Sequence, residues 1–124
     1  MIRSFRHYAF AVPDVALGRD FFEDFGLTAH DRGNHVALRC AGRALDQVVL
    51  LQDGPRKRFH HLSFGTGVDE LDRLKHKLEA HGTKLLDAPY EGAPSGLWFR
   101  DPAGNLTNVT ADATPEPRAG KPYP

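Results

Sequence analysis

The residues most able to do chemistry in this chain are two histidines that occupy matching places in an internal repeat. His7-Tyr8-Ala9-Phe10-Ala11-Val12 lines up with His61-Leu62-Ser63-Phe64-Gly65-Thr66, and a helical pattern follows each stretch. An imidazole can ligate a metal, carry a proton, or simply satisfy a hydrogen bond in a core. In both stretches apolar and small residues alternate, as in a half-buried strand. His7 then shares a side with Ala9 and Ala11, while Phe59, His61, Ser63 and Gly65 share another. Small neighbours leave room for a cavity wall. His60, Leu62 and Phe64 face the opposite way on this pattern, which removes His60 from the candidates.

The repeat dictates the elements that must carry these side chains. Residues 4–12 form a first strand that stops at Pro13, and Asp14 is placed to cap a helix over about 15–25. Leu17, Phe21, Phe22 and Phe25 fall at helical spacing, and a core-facing stripe is the expectation, with a partner surface as its alternative. Gly26 suits the helix end. Strands are expected at 27–32, 35–40 and 47–52, with Val36 and Leu38 on one face and His35, Ala37 and Arg39 on the other.

The second half copies this order. Strand 58–66 leads to a helix over about 68–81, with Val68, Leu71, Leu74 and Leu78 as its buried stripe and Gly82 as its cap. A short strand beginning at Leu85-Leu86 and strands 97–100 and 106–110 complete the copy. Two βαβββ modules, about 4–54 and 57–111, make an α+β fold whose sheets curve around a central cavity within one domain of residues 1–112. The tail, 113–124, holds Pro115, Pro117, Pro122 and Pro124 and reads as a linker or extended arm.

Composition narrows the function classes. Lys+Arg and Asp+Glu are 16 each, so no charge footprint points to nucleic acid or an anionic membrane. No apolar run is long enough to span a bilayer, and the N-terminus lacks a signal-like segment, so a cytoplasmic protein is expected. Cys40 is the only cysteine, which rules out an internal disulfide, and it reads as a small buried hydrophobe. Nucleophile-elbow, Walker and dinucleotide-binding motifs are missing.

These pieces resemble the vicinal oxygen chelate superfamily, which includes glyoxalase I, bleomycin and fosfomycin resistance proteins and extradiol dioxygenases. The matching residues are His7 with Val12-Pro13-Asp14, then His60-His61-Leu62-Ser63-Phe64, Gly82, and the turn Asp101-Pro102-Ala103-Gly104-Asn105. Phe59-His60-His61-Leu62-Ser63-Phe64 is most similar to the extradiol dioxygenases, and the Pro-rich tail is similar to their interdomain linker. The resemblance implies Fe(II) or another divalent metal on two histidines and one carboxylate, with open positions for a catecholate and O₂.

Carried over residue by residue, that site is His7, His61 and, three residues after Asn105, Asn108 in place of the family's glutamate. An amide brings no charge and is a weaker donor than a carboxylate. The strand before the mid-chain histidine, Val48-Val49-Leu50-Leu51-Gln52, also lacks the acid that glyoxalase I and its proton transfer require. Fosfomycin-type thiol transfer needs the absent glutamate too. Trp98 and Tyr90 are placed to stack on an aromatic ligand and Arg39 or Arg100 to hold an anion; His76 and His81 are expected in solvent.

Three functions follow from the resemblance. The first is an extradiol, ring-cleaving dioxygenase-like protein with a degenerate metal site, acting on a small aromatic or dioxygenated molecule. The second is a metal-free binding protein of the bleomycin-resistance kind. The third is a non-catalytic N-terminal domain of a larger dioxygenase. Whether the chain is an enzyme stays open among them. A homodimer is expected, because open sheets leave edges that need cover.

Overall fold

The computed structural model describes residues 2–112; the tail assigned as a linker lies outside the described residues. The chain runs β1 (Ile2–Val12), α1 (Val15–Asp24), β2 (Thr28–Asp31), β3 (His35–Arg39), β4 (Val48–Gln52) and β5 (Arg58–Thr66). A 3₁₀ turn (Val68–Glu70), α2 (Leu71–Ala80), β6 (Leu97–Arg100) and β7 (Leu106–Ala111) follow. All seven strands join in one sheet, ordered β2-β3-β4-β1-β5-β7-β6. β1 runs parallel to β4 and β5 parallel to β7, while β1 and β5 pair antiparallel at the centre. The two halves therefore meet through the strands that carry the histidines.

Local chemistry explains the punctuation. The Asp14 carboxylate accepts from the Leu17 amide at 3.1 Å and starts α1. Past its end, Gly26 takes φ 104° and the Leu27 amide returns to the Phe22 carbonyl. One face of the sheet packs Val12, Val36, Leu38, Val48 and Leu50 against Val15 and Phe22 of α1. The other face carries Ala9, Val49 and Leu51 under Tyr90.

Four expectations from sequence are corrected. Leu17, Phe21 and Phe25 do not enter the core; they are 69%, 60% and 74% exposed. The cause lies one step round the helix, at Gly18. A Cβ there would stand 2.9 Å from Leu50 Cδ1, so α1 sits down on its Val15-Gly18-Phe22 line and turns the other stripe outward. In the second helical segment Val68 is 66% exposed and Leu71, Leu74 and Leu78 are only half-buried.

Leu85-Leu86 forms no strand. Leu86 donates to the Trp98 carbonyl at 2.7 Å, but the run is short and ends at Pro89, which has no N–H for a ladder. Cys40 is exposed, because it follows the last residue of β3, where the ladder gives way to a turn.

Candidate functional site

β1 and β5 place His7 opposite Ser63 and Ala9 opposite His61. The two histidines thus point to the same face from neighbouring strands, and their Nε2 atoms are 2.9 Å apart. Both are buried, His7 at 5% exposure and His61 at 0%. Burial is the main force on their titration. It pushes His7 down to about 4, against a partial pull upward from Asp46 and with further lowering by Arg6 and His35. His61 falls to about 3, from burial first and then from its neighbours His7 and His60. Near neutral pH the pair is uncharged.

His60 joins them, contrary to the simple alternation. The register steps from Ala9 opposite His61 to Phe10 opposite Phe59, so His60 is the extra residue of a β-bulge. The bulge moves Phe59 to the other face, where its ring meets Phe10 at 6.0 Å. It also brings His60 Nδ1 to 2.8 Å from His61 Nδ1. A neutral imidazole has one donor and one acceptor nitrogen, so His61 can satisfy a partner on each side without a charge. The result is a hydrogen-bonded row, His7–His61–His60.

Asn108 stands beside this row on β7, opposite Ser63 of β5 and Trp98 of β6. It is fully buried. Its Oδ1 accepts from the Ser63 hydroxyl at 2.7 Å, and its Nδ2 donates to the carbonyls of Ser95 and Leu97, each at 3.1 Å. Both amide hydrogens are used. The turn before it fixes its register: Asp101 accepts from the Asn105 amide at 2.8 Å and from its side chain at 3.1 Å. Those bonds hold the Asp101 carboxyl below its ordinary pKa.

The aromatic candidates close the space over the histidines. Trp98, 2% exposed, meets the His61 ring edge-on at 4.8 Å and donates Nε1–H to the Pro94 carbonyl at 2.9 Å. Tyr90 leans on His35, His60 and His61 at 5.3, 6.1 and 6.2 Å, and burial pushes its phenol up to about 12. Its loop is tied across the sheet, since Asn34 donates to the Glu91 carbonyl at 2.7 Å.

Arg39 is spoken for by Asp46, with Nε to Oδ1 at 2.7 Å, and Asp46 also pairs with Arg32 at 3.6 Å. Arg100 is exposed and bonds the Gly104 carbonyl, and His76 and His81 are in solvent. Sequence reasoning missed His60, Ser63 and Asp46 as parts of the site. The His-His doublet was a usable signal only with the bulge known, and the Ser63–Asn108 bond needs the β5–β7 register.

A divalent ion can be tested against this arrangement. Two ligands at about 2.1 Å from one ion and at right angles to it stand about 3 Å apart, so the imidazole spacing fits. The third position does not. Asn108 is neutral and its amide is already bonded on both ends. Among the described residues no group of three or more His, Cys, Asp or Glu could hold a metal. Among the described residues no carboxylate joins His7 and His61.

Known proteins share the fold that produces this geometry. Metapyrocatechase 2 of Cupriavidus necator is 32% identical over 121 residues, which is 98% of this chain and 37% of that protein. A Mn(II)-bound glyoxalase from Novosphingobium aromaticivorans superposes with TM-score 0.77 at 22% identity, over 90% of this chain and 39% of its own. The halotolerant catechol dioxygenase BphC gives 0.74 at 23%, over 96% and 42%. Homoprotocatechuate 2,3-dioxygenase of Brevibacterium fuscum, in complex with 3,4-dihydroxyphenylacetate, gives 0.75 at 22%, over 91% and 37%. The chain spans less than half the length of each. No helix among the described residues is long and apolar enough to cross a membrane. With the α+β fold, the repeated histidine strands and the Asp-Pro-x-Gly-Asn turn in place, and a family model matching residues 4–109, the chain belongs to the Glyoxalase/Bleomycin resistance protein/Dioxygenase superfamily.

Proposed function

We propose that this chain is a supporting module of an extradiol-dioxygenase-like protein, in which the family's metal position has become a hydrogen-bonded core. The observation that carries this is Asn108. It sits where the resemblance calls for a glutamate, and its amide bonds Ser63, Ser95 and Leu97 rather than standing open toward the histidines. Trp98 and Tyr90, the candidates for stacking on a ligand, pack on His61 instead. The chain's short span against its relatives fits a module that works beside another part of a longer protein.

One similar structure is a Mn(II)-bound glyoxalase and another a catechol dioxygenase. On this reading that chemistry belongs to the partner module. Oxygen-electrode assays with Fe(II)-loaded protein and catechol test it. Uptake should equal that of free Fe(II) in buffer. Faster uptake that disappears in His61→Ala would overturn the supporting role.

A second reading draws on the 2.9 Å imidazole spacing, which keeps half of a metal site intact. It makes the chain a metal-binding protein weakened, not abolished, by the loss of the carboxylate. Asn108→Glu restores the missing donor and separates the two: a gain of Fe(II) binding only in that variant supports the first.

A further inference from the structure

An unbroken row of rings runs along the central strands β1 and β5. Phe64 meets Phe5 at 5.8 Å, Phe5 meets Tyr8 at 5.7 Å, Tyr8 meets Phe10 at 5.5 Å and Phe10 meets Phe59 at 6.0 Å. Phe10 packs on the α1 side of the sheet, so the row lies on the face away from the histidines. Phe5, Tyr8 and Phe59 are 47%, 39% and 39% exposed, although the row crosses the middle of the seven-stranded sheet. A strip of open aromatic rings suits a chain that brings apolar rings of its own and few backbone donors.

The row starts beside the last described residue. The Asp112 carboxylate accepts from the Ser4 hydroxyl and pairs with Arg6 at 3.6 Å, and the Asp112 amide donates to the Thr66 carbonyl at 2.7 Å. Ser4 directly precedes Phe5. The residues that follow, 113–124, carry Pro115, Pro117, Pro122 and Pro124, the composition of segments that dock extended on aromatic grooves. At ~3.1 Å per residue such a segment reaches about 37 Å, and the row from Phe5 to Phe10 needs only about 17 Å. Prolines two residues apart then stand about 6 Å apart, close to the spacing of neighbouring rings in the row.

We propose that residues 113–124 fold back along this row, with Pro115 and Pro117 on the rings of Phe5 and Tyr8. A proline enters such a contact with its φ already fixed, so covering the rings costs little chain freedom. It also has no N–H to leave unmet on an aromatic face, and the Tyr8 phenol supplies an O–H for a carbonyl of the tail. The tether decides the occupant. Held at Asp112, the tail meets the row at an effective concentration in the millimolar range, which a separate chain at micromolar concentration does not match. Any later segment of a longer polypeptide starts farther from the row than these residues do.

NMR of the 124-residue chain, isotope-labelled, tests the proposal. The expected result is nuclear Overhauser contacts from Pro115 and Pro117 to the Phe5 and Tyr8 rings, with both proline spin systems shifted upfield of a synthetic 113–124 peptide. Tyr8→Ala should return those shifts to the peptide values. So should the Pro115→Ser/Pro117→Ser double variant, whose substitutions lie outside the sheet and decide the matter if Tyr8→Ala does not fold. Wild-type tail resonances that coincide with the synthetic peptide overturn the proposal. So do proline shifts unmoved in the double variant's neighbours Glu116 and Arg118, or contacts that run to the histidine face. Contacts seen only between labelled and unlabelled chains in a mixed sample also overturn it, because the tail would then cover another copy.

Discussion

His7 and His61 face each other Nε2 to Nε2 at 2.9 Å, from the central strands of the two halves of the repeat. In the family such a pair would share an ion. Here each finds its partner in the other, and the row ends on His60. Removing one member leaves the other buried with an unmet nitrogen, which costs more than the bond itself contributes.

His7→Ala and His61→Ala should therefore each destabilise the fold by roughly 3 kcal/mol. The double substitution should cost less than the two singles together, by about 1 kcal/mol or more. Urea titrations of the four proteins, read as a double-mutant cycle, measure the coupling. Strict additivity would mean that the two rings do not depend on each other.

Acid should weaken the fold early. Both folded-state values, about 4 for His7 and about 3 for His61, lie below the 6.5 of an unfolded histidine. Above pH 6.5 neither state takes up these protons and stability is at its full value. Below it the unfolded chain binds protons that the folded chain refuses, so stability falls as pH drops toward 4. At about 1.4 kcal/mol per unit and group, the loss is several kcal/mol across the pair. Urea midpoints at pH 7.5 and 4.5 should show it, and the slope should flatten in the His7→Phe/His61→Phe double variant.

Asn108→Ala removes the acceptor for Ser63 and both donors to the carbonyls of Ser95 and Leu97. Roughly 3 kcal/mol should be lost. Ser63→Ala removes a single bond and should cost about 1 kcal/mol. Asn108→Asp keeps the shape but aims a carboxylate at two carbonyl oxygens. A carboxyl pushed up in the folded state takes up its proton before the unfolded chain does. This variant should therefore lose less stability than the wild type between pH 7.5 and pH 5, and thermal melts at the two pH values would show the smaller loss.

Gly96 closes the loop over Asn108. Its φ is 101°, and a Cβ there would stand 2.2 Å from the Val109 carbonyl oxygen, an atom of the β7 backbone that cannot move aside alone. Gly96→Ala should cost about 3 kcal/mol or more, since strain and clash add. Gly104 has a similar φ, 88°, but open space around it, so Gly104→Ala should cost about 1 kcal/mol. Equal melting temperatures for the two variants would show that the loop is not clamped.

Much of this was legible from residue order. The boundaries of β5 and β6, the caps at Asp14, Gly26 and Gly82, and the shared face of His7 and His61 follow from period, proline and glycine alone. What was hidden depends on contacts between distant segments. The bulge at His60 appears only when β1 is laid against β5, and it reverses the faces of Phe59 and His60. The outward turn of Leu17, Phe21 and Phe25 depends on Gly18 meeting Leu50, a fit that helical periodicity does not report. Asn108 could be flagged as a departure from the family pattern, but its three partners lie on β5, on β6 and in the loop before it.

The most direct test is anaerobic calorimetry of Fe(II) into chelator-stripped protein, beside His61→Ala and Asn108→Glu. If the metal position is a filled core, wild type and His61→Ala give the same weak, non-stoichiometric heats, and a defined site appears only with the glutamate. One Fe(II) bound per wild-type chain, and lost in His61→Ala, would contradict the account and make this a metal centre in its own right.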